Sequence, residues 1–485
     1  MNLPSNIIND ALSKLIPWLE QWRSENGAYN GFVFHRFERK RMKYLHDTAW
    51  TQAAVIRGYC NLYRKSPEAR WYDLLIHAAD LQASRFEADS GKYLYAGHED
   101  DRFCSLIHCA LANCALLDAY DLVDEMRQNK YLQVVKGNID RYWLGSLWVK
   151  NEGAFRFSDV DYYSQSEDRF VINCNCVAAE CLLRLSQLIN DNKYSRYAVI
   201  FGQWLIDRCS EARIYYEELQ QKAEKKDRDV AIITLGGLPY QHTTSHGRPD
   251  NCVCLYAGLS LRGIASLADY TGNREYRKIA GETTRFLLSM RDPQTHLFYH
   301  TTEKNHIVHY PQFISGAGMA LVGVDQAKNL LDDTPDVTKT VESILKLTYA
   351  NGSCPSFLGK NSGPGRNKKG KVWEDVVASV NWNAQWFEYL TRIVEDPERI
   401  SINVNTETVR ISTERFIYSD LPKNVSIVSW WPWKSMGVFF IKKAGDKATF
   451  TFDLPNLLRI IYHSLKRAVS KFQNKGNNQL NGPKT

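Results

Sequence analysis

The pattern of hydrophobic and polar residues divides most of this chain into six repeats. Each repeat opens with a long helical stretch of small and apolar residues, and the six stretches cover residues 46–63, 101–122, 169–189, 251–270, 312–331 and 374–394. One example, Asn-Cys-Asn-Cys-Val-Ala-Ala at 173–179, is small or apolar nearly all round. A helix of this composition is typically packed on several sides. We therefore expect these six helices to form an inner ring.

A second kind of helix follows five of the six stretches. These helices, predicted over 68–87, 130–150, 193–213, 274–291 and 335–350, carry one apolar stripe with charges on the opposite face. The sixth repeat has no such partner downstream, whereas residues 5–25 form an unpaired helix of the right kind upstream. A repeat completed from the other end of the chain indicates a closed ring. The sequence thus predicts a mostly α fold, an (α/α)6 toroid of six helical hairpins closed by the N-terminal helix.

Turns with aromatic residues come after most of the outer helices, as in Gly-Lys-Tyr-Leu-Tyr at 91–95 and Gly-Ala-Phe-Arg-Phe at 153–157. We expect glycine to end each helix in a left-handed conformation and the alternating residues to form a short extended segment. Because these crossings all fall on one side, the loops should converge where the inner helices begin. That mouth is the expected functional site.

The C-terminal part has a different pattern. We assign the toroid to 1–396, a small β-rich module to 397–453 on the basis of its period-two alternation, a basic amphipathic helix to 454–473 and a disordered tail to 474–485. The basic helix favours peripheral contact with an anionic membrane or a protein partner, or docking onto its own sheet. Two further segments are expected near the ring: a charged helical extension or lid at 217–229 and a mobile loop at 359–371.

Composition narrows the class of protein further. The 485 residues carry a net charge of +7 and 11 scattered Cys with no framework spacing, which favours reduced, buried thiols and a cytoplasmic location. We find no phosphate-binding or dinucleotide glycine pattern, so no cofactor is expected. We also find no nucleic-acid module and no continuous apolar span of the length that crosses a membrane. The Cys174/Cys176 and Cys252/Cys254 pairs sit two apart on helices and point in different directions, so we expect no metal site.

Acidic residues mark the predicted start of five of the six inner helices: Asp47, Asp101, Asp168, Asp250 and Asp375. An aspartate there would cap free backbone N–H groups and complement the helix dipole, which is a purely structural interpretation. In a ring, however, these starts face one cavity. The convergence of carboxylates there favours a catalytic role.

The richest loop, residues 239–251, comes directly before the fourth inner helix. It gathers the residues of a site for proton transfer and for binding carboxylate or hydroxyl groups, namely His242, His246, Arg248, Asp250 and Asn251. Further carboxylates are expected opposite this loop, at Asp101, Asp159 and Asp168. The last two hairpins add Tyr310, Trp373, Asp375 and Trp382.

Paired carboxylates on facing walls are the requirement for glycoside hydrolysis, at roughly 6.5–9.5 Å for inversion and about 5 Å for retention. Asp250 and Asp101 are the first choice of pair, Asp168 and Asp375 the next, and His246 completes the catalytic set. A lyase or epimerase would instead use His246, Arg248, Asn251 and Tyr310. We assign substrate binding to His242, Arg248, Asn251, Tyr310, Trp373, Trp382 and Asp47.

Repeat architecture, together with segments 173–179 and 257–271, resembles the (α/α)6 toroid of the six-hairpin glycosidase and N-acylglucosamine 2-epimerase-like superfamily. The resemblance covers roughly residues 5–395 and implies a carbohydrate substrate in the funnel. It matches no single catalytic motif. Two other classes stay open: a toroid that binds polysaccharide or a protein partner without catalysis, and a terpenoid-cyclase type, although the Asp-x-Asp-Asp motif of that type is absent.

Overall fold

A computed structural model gives the architecture of the chain. It describes residues 4–21, 23, 27–31, 45–46, 48–94, 104–159, 169–224, 236–243, 252–303, 306–358, 380–402, 425–426, 439–444 and 447–452. The chain divides into two compact units. One consists of Met1–Val33 with Lys43–Val409, and the other of Phe34–Met42 with Arg410–Thr485.

The first unit is built from two sets of helices, as the repeats predict. The inner helices are α2 (Ala53–Lys65), α4 (Leu106–Tyr120), α6 (Ile172–Ile189), α8 (Cys254–Thr271), α10 (Ala317–Ala327) and α12 (Val380–Ile393). The outer helices are α1 (Ser5–Gln21), α3 (Ala69–Ser84), α5 (Glu125–Gly137), α7 (Asn192–Glu224), α9 (Arg274–Ser289) and α11 (Thr338–Lys346). Short π-helical segments, Thr48–Gln52 and Asn138–Leu147, begin α2 and continue α5, and 3₁₀ turns follow α10 and α12 at Lys328–Leu330 and Pro397–Arg399.

The inner helices form a closed ring. Each packs on the next in chain order, and α12 packs both on α2 and on α1. The seam is held by polar contacts between distant parts of the chain: Ser5 Oγ donates to Asp396 at 3.3 Å, and Lys65 Nζ donates to the Val394 carbonyl at 2.6 Å. The predicted closure by the N-terminal helix is confirmed.

Small residues let the inner helices approach closely. A Cβ atom added to Gly263 of α8 would lie 1.9 Å from the Cys176 carbonyl oxygen of α6. One added to Gly323 of α10 would lie 1.8 Å from the Gly258 carbonyl oxygen of α8. Only hydrogen fits at these positions, so the small-residue composition of the inner stretches follows directly from backbone contact between neighbouring helices.

Short strands, rather than further turns of helix, precede several inner helices. Before α6 lies β7 (Arg169–Val171), which pairs antiparallel with β8 (Gln241–Thr243). The N-cap residues of α4, α6 and α8 are Ser105, Val171 and Val253, all extended. The predicted helix starts at 101, 169 and 251 are therefore wrong by a few residues. Asp101, Asp168 and Asp250 do not hold the N-cap positions that the structural interpretation gave them.

Hairpins connect the outer helices to the next inner helices, so they lie at the end of the ring where the inner helices begin. In the turns between β3 (Phe86–Glu87) and β4 (Lys92–Tyr93), and between β5 (Trp148–Val149) and β6 (Ala154–Phe155), Gly91 and Gly153 have φ of 70° and 73°. The left-handed glycines are confirmed. They close hairpins, however, instead of ending helices, because a two-residue strand intervenes after each helix.

The remaining strands complete the description of both units. In the first unit they are β1 (Asn30–Gly31), β2 (Leu45–His46), β9 (Phe298–Glu303), β10 (His306–Phe313) and β11 (Phe357–Leu358). In the second unit β12 (Val425–Ser426), β13 (Phe439–Ala444) and β14 (Lys447–Phe452) form an antiparallel sheet in that order. The expected loop at 359–371 and basic helix at 454–473 lie outside the described residues.

Two features predicted from composition can be compared with the structure. None of the eleven cysteines forms a disulfide, and all but Cys209 are buried, as the pattern of the helices predicted. In the parts of the chain that the structure describes, no helix has the length and hydrophobicity needed to cross a membrane. The charged stretch at 217–229 is helical as far as Glu224, where α7 ends.

Candidate functional site

A cluster of buried charges crosses the axis of the ring at mid-height. We call it the charged floor, and it consists of Arg57, Asp118, Glu180, Arg184, Arg262 and Glu388. Arg57 Nε lies 2.9 Å from Asp118 Oδ2 and 3.2 Å from Glu388 Oε1, and Arg262 Nε lies 2.8 Å from Glu180 Oε2. Three positive and three negative groups balance, so the cluster has no net formal charge.

Several of these charges pair helices that are not neighbours in the ring. Their side chains must therefore point toward the axis. Arg57 on α2 reaches Glu180 on α6 at 3.8 Å, and Arg262 on α8 reaches Glu388 on α12 at 3.8 Å. Arg262 contacts both Glu180 and Glu388, so the three side chains are at one level. All four side chains are at most 5% exposed. The floor therefore occupies the centre of the ring.

Burial and neighbouring charges set the ionisation of the floor. Burial disfavours the charged form of Asp118, but the guanidiniums of Arg184 and Arg57 outweigh it and lower the pKa to about 2. Burial raises the pKa of Glu180 and Glu388 against the opposing effect of Arg57. Removing charges from water costs several kcal/mol per ion, so the ionised forms of these groups depend on their partners in the cluster.

One level above the floor, toward the mouth, lie Asn173 of α6 and Asn381 of α12, which we call the amide pair. Each asparagine is seven residues before a floor glutamate. A spacing of seven residues is about 20° short of two full helical turns, so each asparagine is on the same axial face as that glutamate. In the order of the ring α6 and α12 are opposite each other. The amide pair therefore faces the axis from opposite walls.

A second pair of asparagines faces outward and supports this orientation. Asn383 accepts from the Cys354 N–H at 2.7 Å and donates to the Cys354 carbonyl at 2.9 Å, and Asn175 brackets the Phe155 peptide in the same way at 2.8 Å for both bonds. These residues are two positions after the amide pair, a rotation of roughly 200°. The outward asparagines fix the hairpins, and the amide pair points the opposite way.

Aromatic side chains surround the start of the inner helices. The half-buried Trp382, predicted to bind substrate, lies edge-on to Phe313 and Phe357, with ring centroids 5.8 and 6.0 Å apart. On the other side of α12, Trp50 meets the edge of His108 at 6.2 Å, and Ser105 Oγ lies 3.0 Å from His108 Nδ1. Trp382 thus packs on two paired strands of one sheet and keeps part of its side chain exposed.

Most of the predicted site residues lie outside the described residues: Asp47, Asp101, Asp168, His246, Arg248, Asp250, Asn251, Trp373 and Asp375. His242 is in β8 opposite Phe170 of β7, and Tyr310 is in the irregular stretch of β10 between Val308 and Gln312. The pairing of β7 with β8 brings the loop before α8 alongside the strand before α6. Loops from two repeats meet there, as the ring predicts.

The order of the ring corrects one expectation about the walls. The fourth inner helix, α8, packs on α6 and α10 and is opposite α2. The segment of Asp168, which leads into α6, is therefore beside the loop of Asp250 and not opposite it. Asp159, the other carboxylate expected there, is held by Lys92 Nζ at 2.7 Å and Tyr142 Oη at 3.0 Å, so it serves the hairpin region as a structural partner.

The sequence contained signals for the floor and the amide pair that the periodicity argument did not use. A single charge inside an otherwise apolar helix, as at Glu180 and Arg262, requires a buried partner. Among the described residues, no group of three or more His, Cys, Asp or Glu side chains is arranged to hold a metal ion.

Comparisons with known proteins bear on the fold. No protein-family model and no curated protein sequence matches the chain. Several solved structures do match. A D-mannose isomerase has a TM-score of 0.55 and 12% identity, and the match covers 80% of this chain and 97% of that one. A GH76 α-mannanase of Bacteroides thetaiotaomicron matches at 0.53 and 14% over 82% and 97%, and a cellobiose 2-epimerase from Bacillus thermoamylovorans at 0.54 and 15% over 80% and 100%. The chain therefore has the (α/α)6 toroid fold of these neighbours.

Proposed function

We propose that this protein is a carbohydrate-active enzyme that hydrolyses a glycosidic bond of an oligo- or polysaccharide held in the funnel of the toroid. Asp250 and Asp101 are the proposed carboxylate pair, with Asp168, Asp375 and His246 as further members of the catalytic set. The neutral sugar substrate needs no cofactor for this reaction, since one carboxyl group protonates the leaving oxygen while the other activates water or attacks.

The starts of the inner helices carry this proposal. Ser105, Val171 and Val253 hold the N-cap positions of α4, α6 and α8, so helix capping does not account for Asp101, Asp168 and Asp250. These three acidic residues each come shortly before an inner helix, and the inner helices begin at the same end of the ring. Their presence there needs another explanation. Convergent carboxylates at a shared mouth are such an explanation.

The fold and the floor add support. The three neighbours act, by their names, on mannose, mannan and cellobiose. The charged floor crosses the axis, so a ligand would enter and leave by the mouth, where the hairpins and Trp382 lie. Polar groups beside aromatic rings at this end of the ring suit a sugar, which has apolar faces and hydroxyl edges.

The test is turnover by Asp250→Asn and Asp101→Asn variants on α-mannan oligosaccharides, cellobiose and mannose-containing disaccharides. We expect each variant to lose roughly a thousandfold in rate or more, since acid–base groups contribute 10²–10⁴-fold, while its melting temperature stays within a degree or two of wild type.

Asp124→Asn is the matched control. Asp124 is a true N-cap, at the start of α5, and accepts from the Arg127 N–H at 3.0 Å. It should lose a little stability and no turnover. Variants of Asp250 and Asp101 that lose stability and keep full rates would contradict the proposal.

Epimerisation or isomerisation of a sugar is the second candidate, and His108 favours it. This imidazole is buried at the start of α4, next to Trp50, and imidazoles carry protons in such reactions. Incubation of cellobiose and D-mannose in D₂O, followed by NMR, separates the two reactions. Hydrolysis releases new reducing ends, whereas epimerisation exchanges a carbon-bound hydrogen for deuterium without cleavage.

A further inference from the structure

Four side chains on the axial faces of the inner helices have a buried atom without a hydrogen bond, and further such atoms lie on the outer helices and hairpins. Asn173 and Asn381 are 3% and 7% exposed, and the Oδ1 atom of each makes no hydrogen bond. Arg57 Nη1 and Glu388 Oε1, one level below, are likewise without a hydrogen bond although both groups have ionic partners. Buried polar groups in proteins are nearly always bonded, so an orphan amide needs a specific explanation.

The position of the amide pair makes a defect of packing a poor explanation. The two asparagines lie on helices that are opposite in the ring, each seven residues before a floor glutamate. Their neighbours Asn175 and Asn383, two residues further on, have both ends of the amide bonded to a peptide group. The same residue type is thus fully satisfied on the outward face and unsatisfied on the axial face.

The chemistry of an amide indicates what fills the gap. Each side chain offers one acceptor and one donor group, and a sugar hydroxyl can both donate and accept. Leu255 of α8, which stands seven residues before Arg262, presents an apolar side chain at the same level. Two amides across one diameter and a leucine between them match the polar edge and the apolar face of a pyranose ring.

We propose that Asn173 and Asn381 bind hydroxyl groups of the innermost sugar unit from opposite walls of the funnel, directly above the charged floor. This inference rests on the proposed function, because it assumes that a sugar enters the funnel. It adds two binding residues, and it makes the site a pocket with a closed end, so the unit that reaches the amide pair is the end of a glycan chain.

The experiment is calorimetric titration of the full chain with three probes: D-mannose, cellobiose and an α-mannan trisaccharide. Asn173→Leu and Asn381→Leu replace each amide by an apolar side chain of similar shape. We expect wild type to bind at least one probe and each variant to bind it at least tenfold more weakly. The melting temperatures should stay the same or rise, because each change removes an unpaired polar group from the interior.

Asn61→Leu is the matched control, since Asn61 is on inner helix α2 but its amide is already bonded to Thr391 Oγ1 at 3.2 Å. It should keep its affinity within twofold. Asn173→Ala and Asn381→Ala, which add no atoms, are measured alongside in case leucine disturbs folding. Equal affinity of wild type and the variants of both residues would overturn the inference and leave the proposed function standing, whereas failure of wild type to bind any probe would overturn both.

Discussion

The charged floor and the amide pair share the axial faces of α6 and α12, yet they differ in how their polar groups are satisfied. In the floor each guanidinium has a carboxylate within 4 Å, and charges from five helices that do not all touch are joined across the axis. In the amide pair, one level nearer the mouth, two buried carbonyl oxygens have no partner.

This difference separates a structural layer from a binding layer. Polar groups that serve stability are paired within the protein, because an unpaired buried group costs about 1–3 kcal/mol. Groups that serve a ligand are left unpaired until the ligand arrives, so the empty site lowers the stability of the fold. On this view the floor fixes the ring, and the amide pair is the part of the axis available for recognition.

Removing one partner from the charged floor should cause the largest loss in the free energy of unfolding. Arg57→Met keeps most of the side-chain volume but leaves Glu388 and Asp118 without their shared cation. We expect a loss of about 4 kcal/mol in the free energy of unfolding, measured by urea denaturation, since breaking a buried ion pair costs 3–5 kcal/mol.

Lys14→Met provides the control, because the Lys14–Asp10 pair is 48% and 64% exposed and should contribute less than about 1 kcal/mol. A floor variant as mild as this control would mean that solvent reaches the cluster, and the contrast between the two layers would disappear.

The outward and axial asparagines of α12 offer a comparison within two residues of sequence. Asn383→Ala leaves the N–H and carbonyl of Cys354 buried without their partners, so we expect a loss of about 3 kcal/mol in the same assay. Asn381→Leu should cost nothing or stabilise slightly. If the two changes had equal effects on stability, the axial amide would have a structural partner after all.

Acid should weaken the floor through Asp118, which faces Arg57, Arg64 and Arg184. Its pKa falls from an ordinary 3.8 to about 2 on folding, so its stabilisation is complete above pH 4 and disappears as the pH falls toward 2. Glu180 and Glu388, whose pKa values are raised, act in the opposite direction. We expect wild type to lose roughly 2 kcal/mol over this range. In Asp118→Asn the slope should be clearly shallower, and an unchanged slope would assign it to other carboxyl groups.

Much of the fold could be predicted from the sequence because inner and outer helices face different surroundings. Gly263 and Gly323 touch backbone on the next helix, so small residues are unavoidable there, whereas outer helices need only one apolar stripe. The starts of the inner helices were harder to predict. Residues such as Arg169–Val171 extend a small-residue pattern but pair with another strand, and periodicity does not record a partner that is distant in sequence.

The site could be predicted only as a location. The pattern of helix starts points to the mouth, and the meeting of β7 with β8 agrees with that expectation. The charged floor and the amide pair depend on which helices face each other without being neighbours in the ring, a relation among residues more than a hundred positions apart. Asn173 and Asn175 are identical in the sequence, and only the rotation between them assigns one to the axis and the other to a hairpin.

The contact between α1 and α12 has a consequence for folding during synthesis on the ribosome. Ser5 and Asp396 are in contact although 391 residues separate them. At 5–20 residues per second, α1 is synthesised roughly 20 to 80 s before its partner helix exists. During that time its apolar face, with Leu12, Leu15 and Ile16, has no docking surface on α12. The docking surface of α1 is therefore completed only when the last helix of the ring has been synthesised.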